Sequence, residues 1–125
     1  MKIKDRFIEY IKIDTQSAYN PTSVPSTEKQ RNLAVLLEQQ LKDMEAKDVY
    51  ISDTCCLYGR VEANYENCKA PKIGFCAHLD TTPELCGKDI KPRVVENYDG
   101  KDIVLNEEAG IVMEREKFEH LGQYV

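Results

Sequence analysis

The feature that most constrains the fold is the stretch Ile73–Glu84, IGFCAHLDTTPE. Small and apolar residues from Ile73 to Ala77 end abruptly on His78, with Asp80 two residues on and a Thr-Thr-Pro turn behind it. Ile73, Phe75 and Ala77 alternate with Gly74 and Cys76, so neither face of a strand here carries a charge. A strand of that kind suits the middle of a sheet covered on both sides. Lys72–Ala77 is therefore predicted to be the most buried strand of the chain, with Cys76 as a small core residue.

The flanking sequence supplies the layers. Ile3, Phe7, Ile8 and Ile11 recur at helical spacing and predict a helix over Lys2–Ile13. Asp14–Thr27, rich in Ser, Thr, Pro and Asn, reads as a loop. Thr27 with Gln30 three residues on has the form of a capping box. The helix it opens, predicted to run to Ala46, carries Leu33, Leu36, Leu37, Leu41 and Met44 as a core-facing stripe. Val49–Ser52 and the alternating Leu57–Ala63 predict two strands that pair through the Asp53–Cys56 turn. Short β segments are expected at Arg93–Glu96 and Ile103–Leu105. The pattern predicts an α/β fold with helices packed on a mixed β-sheet.

Bulk properties narrow the function. The 125 residues suit one domain or part of one. A net charge of −5 with scattered Lys and Arg argues against nucleic acid as a partner. No apolar run approaches the ~20 residues that span a bilayer. Lys12 and Asp14 interrupt any signal-like apolar core near the N-terminus. A soluble cytoplasmic protein that does not engage membranes is the expectation. The five cysteines, Cys55, Cys56, Cys68, Cys76 and Cys86, are odd in number and contain no Cys-x-x-Cys pair. Reduced thiols fit better than a disulfide framework.

In α/β sheets, sites lie at the carboxyl ends of strands, which is where His78 and Asp80 stand. Their i, i+2 spacing places both on one side of an extended chain. A metal-bound imidazole commonly donates its other N–H to a carboxylate, and this pair has those residue types. The same tripeptide equally describes a structural histidine beside a turn. His120, near Phe118 and Leu121 in EREKFEHLG, reads as a structural or exposed residue of a short helix or turn. Glu107-Glu108 reads as a solvated pair in a loop. The cysteine spacings around His78 match no zinc-ribbon pattern. Gly87–Asp89 and Tyr98–Asp102 are turns that lack the spacing of a phosphate loop.

The stretches GFCAHLDTTPE and GKDIKPRVVENYDGKDIVLN (Gly87 to Asn106) resemble the peptidase T branch of the dizinc exopeptidase family, the tripeptide aminopeptidases. RNLAVLLEQQLKDM and YGRVEA are similar to the corresponding helix and strand, and the likeness runs from about Phe7 to Leu121. The resemblance implies the N-terminal part of a zinc-exopeptidase-like catalytic domain. It implies that His78 ligates one of two zinc ions and that Asp80 is the catalytic-site carboxylate orienting its imidazole. It implies a tripeptide as substrate, cleaved at its N-terminal residue by a metal-activated water.

The family's other ligands, its Glu-Glu general base and its lid or dimerisation domain lie further along a longer chain. Val125 is accordingly expected to be a cut, the 125-residue chain inactive by itself, and self-association of an uncovered sheet a consequence. The alternative is a standalone binding or regulatory module on a peptidase-like fold, which needs none of the absent ligands.

Overall fold

A leucine stripe organises the first of two compact units in the computed structural model, which describes residues 2–125. That unit ends at Pro92, and the second spans Arg93–Val125. The elements are helix α1 (Ile3–Tyr10), helix α2 (Gln30–Asp43), strands β1 (Lys47–Ile51), β2 (Leu57–Arg60), β3 (Ile103–Asn106) and β4 (Ile111–Met113), and a 3₁₀ helix (Glu119–Tyr124). Helices thus combine with small antiparallel sheets, a mixed α/β composition of the expected class. The sheet is divided, however: β1 pairs with β2 and β3 with β4 as separate two-stranded ladders.

Helix α2 lies across the β1–β2 hairpin. Leu33 and Ala34 are buried, Ala34 completely. Leu36, Leu37 and Leu41 face the same way and are half-buried, whereas Met44, predicted to continue the stripe, is 54% exposed. Its exposure follows from where the helix stops. Glu45 takes a φ of 60°, and the Glu45 and Ala46 amides donate to the Lys42 and Leu41 carbonyls at 2.9 and 3.0 Å. This paired 5→2 and 6→1 arrangement is a Schellman ending. It turns the chain before Met44 completes another turn.

The predicted capping box does not form. The Thr27 hydroxyl donates to the Gln16 carbonyl at 2.8 Å. The Gln30 side chain donates to Ser26 Oγ and Thr27 Oγ1 at 2.8 and 3.2 Å, rather than reaching a backbone N–H. With Thr27 engaged elsewhere, regular α-helix begins only at Gln30. Helix α1 is shorter than its periodicity predicted and buries no residue. It is joined to α2 by polar contacts: the Tyr10 hydroxyl donates to Gln40, and the Gln40 amide donates to Glu9 at 3.1 Å.

The β1–β2 hairpin follows the sequence reading. Tyr50 opposes Tyr58 and Ile51 opposes Leu57 in antiparallel register. The two tyrosine rings stack at a centroid distance of 4.9 Å. A register shift between Lys47 and Tyr50 accommodates Asp48 at φ 54°, and Arg60 reaches its carboxylate at 2.8 Å. Leu41 closes over Gly59, where a Cβ would sit 3.1 Å from its Cδ1. Beyond Arg60 the strand predicted to reach Ala63 gives way to exposed chain.

The largest departure concerns Lys72–Ala77. The segment is extended but unpaired, and Lys72–Asp80 takes part in no backbone–backbone hydrogen bond among the described residues. Ile73 is 78% and Phe75 97% exposed, and Cys76 is exposed rather than in the core. A strand apolar on both faces needs a ladder on each edge and a layer on each side. Neither ladder of the described chain extends to it, so its composition alone cannot make it a strand. Arg93–Glu96 is likewise irregular. In the second unit, β3 and β4 form a hairpin closed by Asn106, whose Oδ1 accepts from the Ala109 amide at 3.0 Å. Leu121 of the 3₁₀ helix is its buried anchor.

Two outcomes follow. Glu45→Gly, which relieves a side chain held in the left-handed region, is expected to raise stability by about 0.5–1 kcal/mol, read from the urea midpoint. The unpaired apolar segment is expected to drive concentration-dependent association of the chain. Light scattering across a dilution series checks this, with Phe75→Lys expected to shift the population towards monomer.

Candidate metal-ligand site

The site is built on a chain that has just left its extended course. His78 and Asp80 project to the same side, as their spacing predicted, and His78 Nδ1 lies 3.0 Å from Asp80 Oδ1. The histidine side chain is 84% exposed and the aspartate 42%. An ionised Asp80 accepts only, so the neutral imidazole carries its proton on Nδ1 and presents the Nε2 lone pair outward. That is the form in which a histidine binds a metal.

Two clefts meet at this pair. One, of about 470 Å³, is lined by Tyr10, Ile13, Leu33, Leu85 and Ile90 together with His78 and Asp80. The other, of about 720 Å³, runs past Pro25, Leu37, Leu57 and Phe75. Both walls are largely apolar, and His78 and Asp80 are the polar residues that the two clefts share.

The course of the chain after Asp80 is set by a segment distant in sequence. The Thr81 amide donates to the Thr15 carbonyl at 3.2 Å, and the Ser17 amide donates to the Thr81 carbonyl at 2.9 Å, forming a parallel bridge between Gln16 and Thr81. The Ser17 hydroxyl adds a bond to the same carbonyl at 2.8 Å. Thr15 is 3% exposed. Sequence reading assigned Asp14–Thr27 to a loop by composition and missed this anchoring role. The available signal was Asp14 itself, whose Oδ1 accepts from the Gln16 amide at 3.0 Å in an Asx turn.

Among the described residues, no group of three or more His, Cys, Asp or Glu side chains converges to hold an ion. His78 and Asp80 fit one ligand and its orienting carboxylate, and the described residues do not complete a zinc site, which needs about three protein ligands. Glu107 and Glu108 sit exposed in the β3–β4 turn. His120 lies in the 3₁₀ helix with its ring edge-on to Phe118 at 6.1 Å. All five cysteines are free, and Cys55 alone is buried.

Asp14 is the one acid beside the site with a clear electrostatic perturbation. The Gln16 amide and then the Lys29 ammonium, 3.0 Å from Oδ2, hold its carboxyl below the ordinary carboxylate range. A depressed folded-state pKa contributes stability that is present above the unfolded value of about 4 and is lost as pH falls through the folded value. Asp14→Asn is therefore expected to lower stability by about 0.5–1 kcal/mol at pH 7. The gap from the unsubstituted chain should close as pH drops below about 4, measured by denaturant midpoints across pH.

No protein-family model matches the chain. The chain is 42% identical over 124 residues to peptidase T of Caldanaerobacter subterraneus, covering 99% of this chain and 30% of that protein. It is 44% identical over 121 residues to peptidase T of Alkaliphilus oremlandii and 43% over 122 residues to that of Clostridium botulinum, again across 30% of each relative. The chain is thus a relative of the peptidase T proteins along nearly its whole length, and it spans about 30% of the length of the relatives it matches.

Proposed function

We propose that this chain contributes a zinc ligand and its orienting carboxylate to a metallo-aminopeptidase that removes the N-terminal residue of tripeptides. The observation that carries the reading is the 3.0 Å contact between His78 Nδ1 and Asp80, within a chain 42–44% identical to proteins named peptidase T. Two zinc ions are the expected cofactors. When bound, zinc supplies an acidified water and polarises the scissile carbonyl. The residues of this chain do the preparatory work. Asp80 fixes the tautomer and aim of His78, and His78 offers Nε2 as one of the ligands. Largely apolar clefts flank the pair on either side.

The described residues bring together no group of three ligands for such a centre, so the 125-residue chain is expected to show no zinc-dependent turnover by itself. A net charge of −5 supports a small peptide substrate over nucleic acid. The five free cysteines support a reducing, cytoplasmic setting, and no helix among the described residues is long and apolar enough to cross a membrane.

The test is hydrolysis of a tripeptide by the product of the entire reading frame that contains this sequence. Turnover should disappear with a chelator and return with added zinc. His78→Ala should abolish it, and Asp80→Ala should cost 10–100-fold in activity or metal affinity, the usual effect of removing a ligand's carboxylate partner. Turnover indifferent to chelation and to His78→Ala would overturn the metal reading, and no turnover of any tripeptide would leave a binding module as the better description.

A further inference from the structure

We infer that Gln16 is a positioning residue for the His78–Asp80 pair, acting by clamping the turn that follows Asp80; the inference rests on the functional reading above. The Gln16 side chain is used at both ends. Its Nε2 donates to the Pro83 carbonyl at 3.1 Å and to the Leu85 carbonyl at 2.8 Å. Its Oε1 accepts from the Lys29 ammonium at 3.4 Å, and Lys29 also binds Asp14 at 3.0 Å. The amide orientation is thereby determined, because only the nitrogen end can serve two carbonyls and only the oxygen end can face an ammonium.

The clamp matters because little else ties the chain on either side of the pair. Lys72–Asp80 takes part in no backbone–backbone hydrogen bond among the described residues. Thr81, directly after Asp80, is the first residue held, through the bridge to the Thr15–Ser17 backbone. Gln16 extends that hold across the next four residues. Gly87 completes it: a Cβ there would sit 3.1 Å from Asp14 Oδ1 and 3.3 Å from Thr81 Oγ1, so the returning chain closes on the clamp only where no side chain intervenes. Displacing the turn moves the Asp80 carboxylate relative to the imidazole it orients. The Gln16 side chain bonds to Pro83, Leu85 and Lys29 and not to the His78 ring, so it works through Asp80.

The readout is the tautomer of His78 in the 125-residue chain, followed by long-range ¹H–¹⁵N NMR at pH 8. The unsubstituted chain should show His78 predominantly as the Nδ1–H form. His120, which has no ring-nitrogen hydrogen bond among the described residues, should show the ordinary mixture and serves as an internal control. Gln16→Met, of similar size but without the amide, should lower the Nδ1–H to Nε2–H ratio of His78 about fivefold, the scale of one lost hydrogen bond. The His120 signals and the helical circular dichroism should not change. A His78 ratio unmoved by Gln16→Met overturns the inference alone. Absence of the Nδ1–H form in the unsubstituted chain overturns the His78–Asp80 geometry and the functional reading with it. If Gln16→Met loses helical structure, Gln16→Glu decides by the same readout. It keeps the size and the oxygen facing Lys29 but removes both donors to the Pro83 and Leu85 carbonyls, and an unchanged ratio there overturns the inference.

Discussion

The arrangement of the first unit depends on a short parallel contact between Thr81 and the Thr15–Ser17 backbone. Two backbone hydrogen bonds and one from the Ser17 hydroxyl join segments that are more than sixty residues apart. Closing so long a loop is entropically costly, although the cost grows only slowly with length. The closure is supported by a set of charged and amide groups rather than by apolar burial. Asp14, Gln16, Lys29 and Thr27 each bond to another member or to the turn beyond Asp80. Because the members share partners, their contributions are expected to be coupled rather than additive.

The apolar core is small by comparison. Leu33, Ala34, Cys55 and Leu121 are its buried members, the last of them in the second unit. Much of what hydrophobic patterning would place inside, including Ile3, Phe7, Val61, Ile73 and Phe75, stands exposed. Local structure in this chain therefore rests heavily on turns, caps and cross-strand pairs: the Schellman ending after α2, the stacked Tyr50–Tyr58 pair and the Asn106 turn. These are short-range devices that form without a large core.

The same division explains which readings of the sequence held. Helix α2, the β1–β2 hairpin and the β3 strand were legible because their signals are local: leucines at helical spacing, alternation at period two, and a turn between paired runs. The capping box at Thr27 was not, because its hydroxyl is taken by Gln16 from a different part of the chain. The buried strand at Lys72–Ala77 was misjudged because apolar composition states what a segment tolerates. Burial additionally requires neighbours, and the described ladders provide none there.

His-x-Asp spacing by itself determined that an imidazole and a carboxylate would share one side of an extended chain, since alternation at period two is a property of the backbone. The structure places them at hydrogen-bonding distance. The sequence alone also carried the likeness to peptidase T, because identity is read residue by residue without coordinates. Only the tertiary structure decided that Asp14–Ser17, a loop by composition, would seize the turn behind Asp80. That contact depends on two segments meeting in space, and no local pattern of residues encodes which distant partner a Gln amide will find.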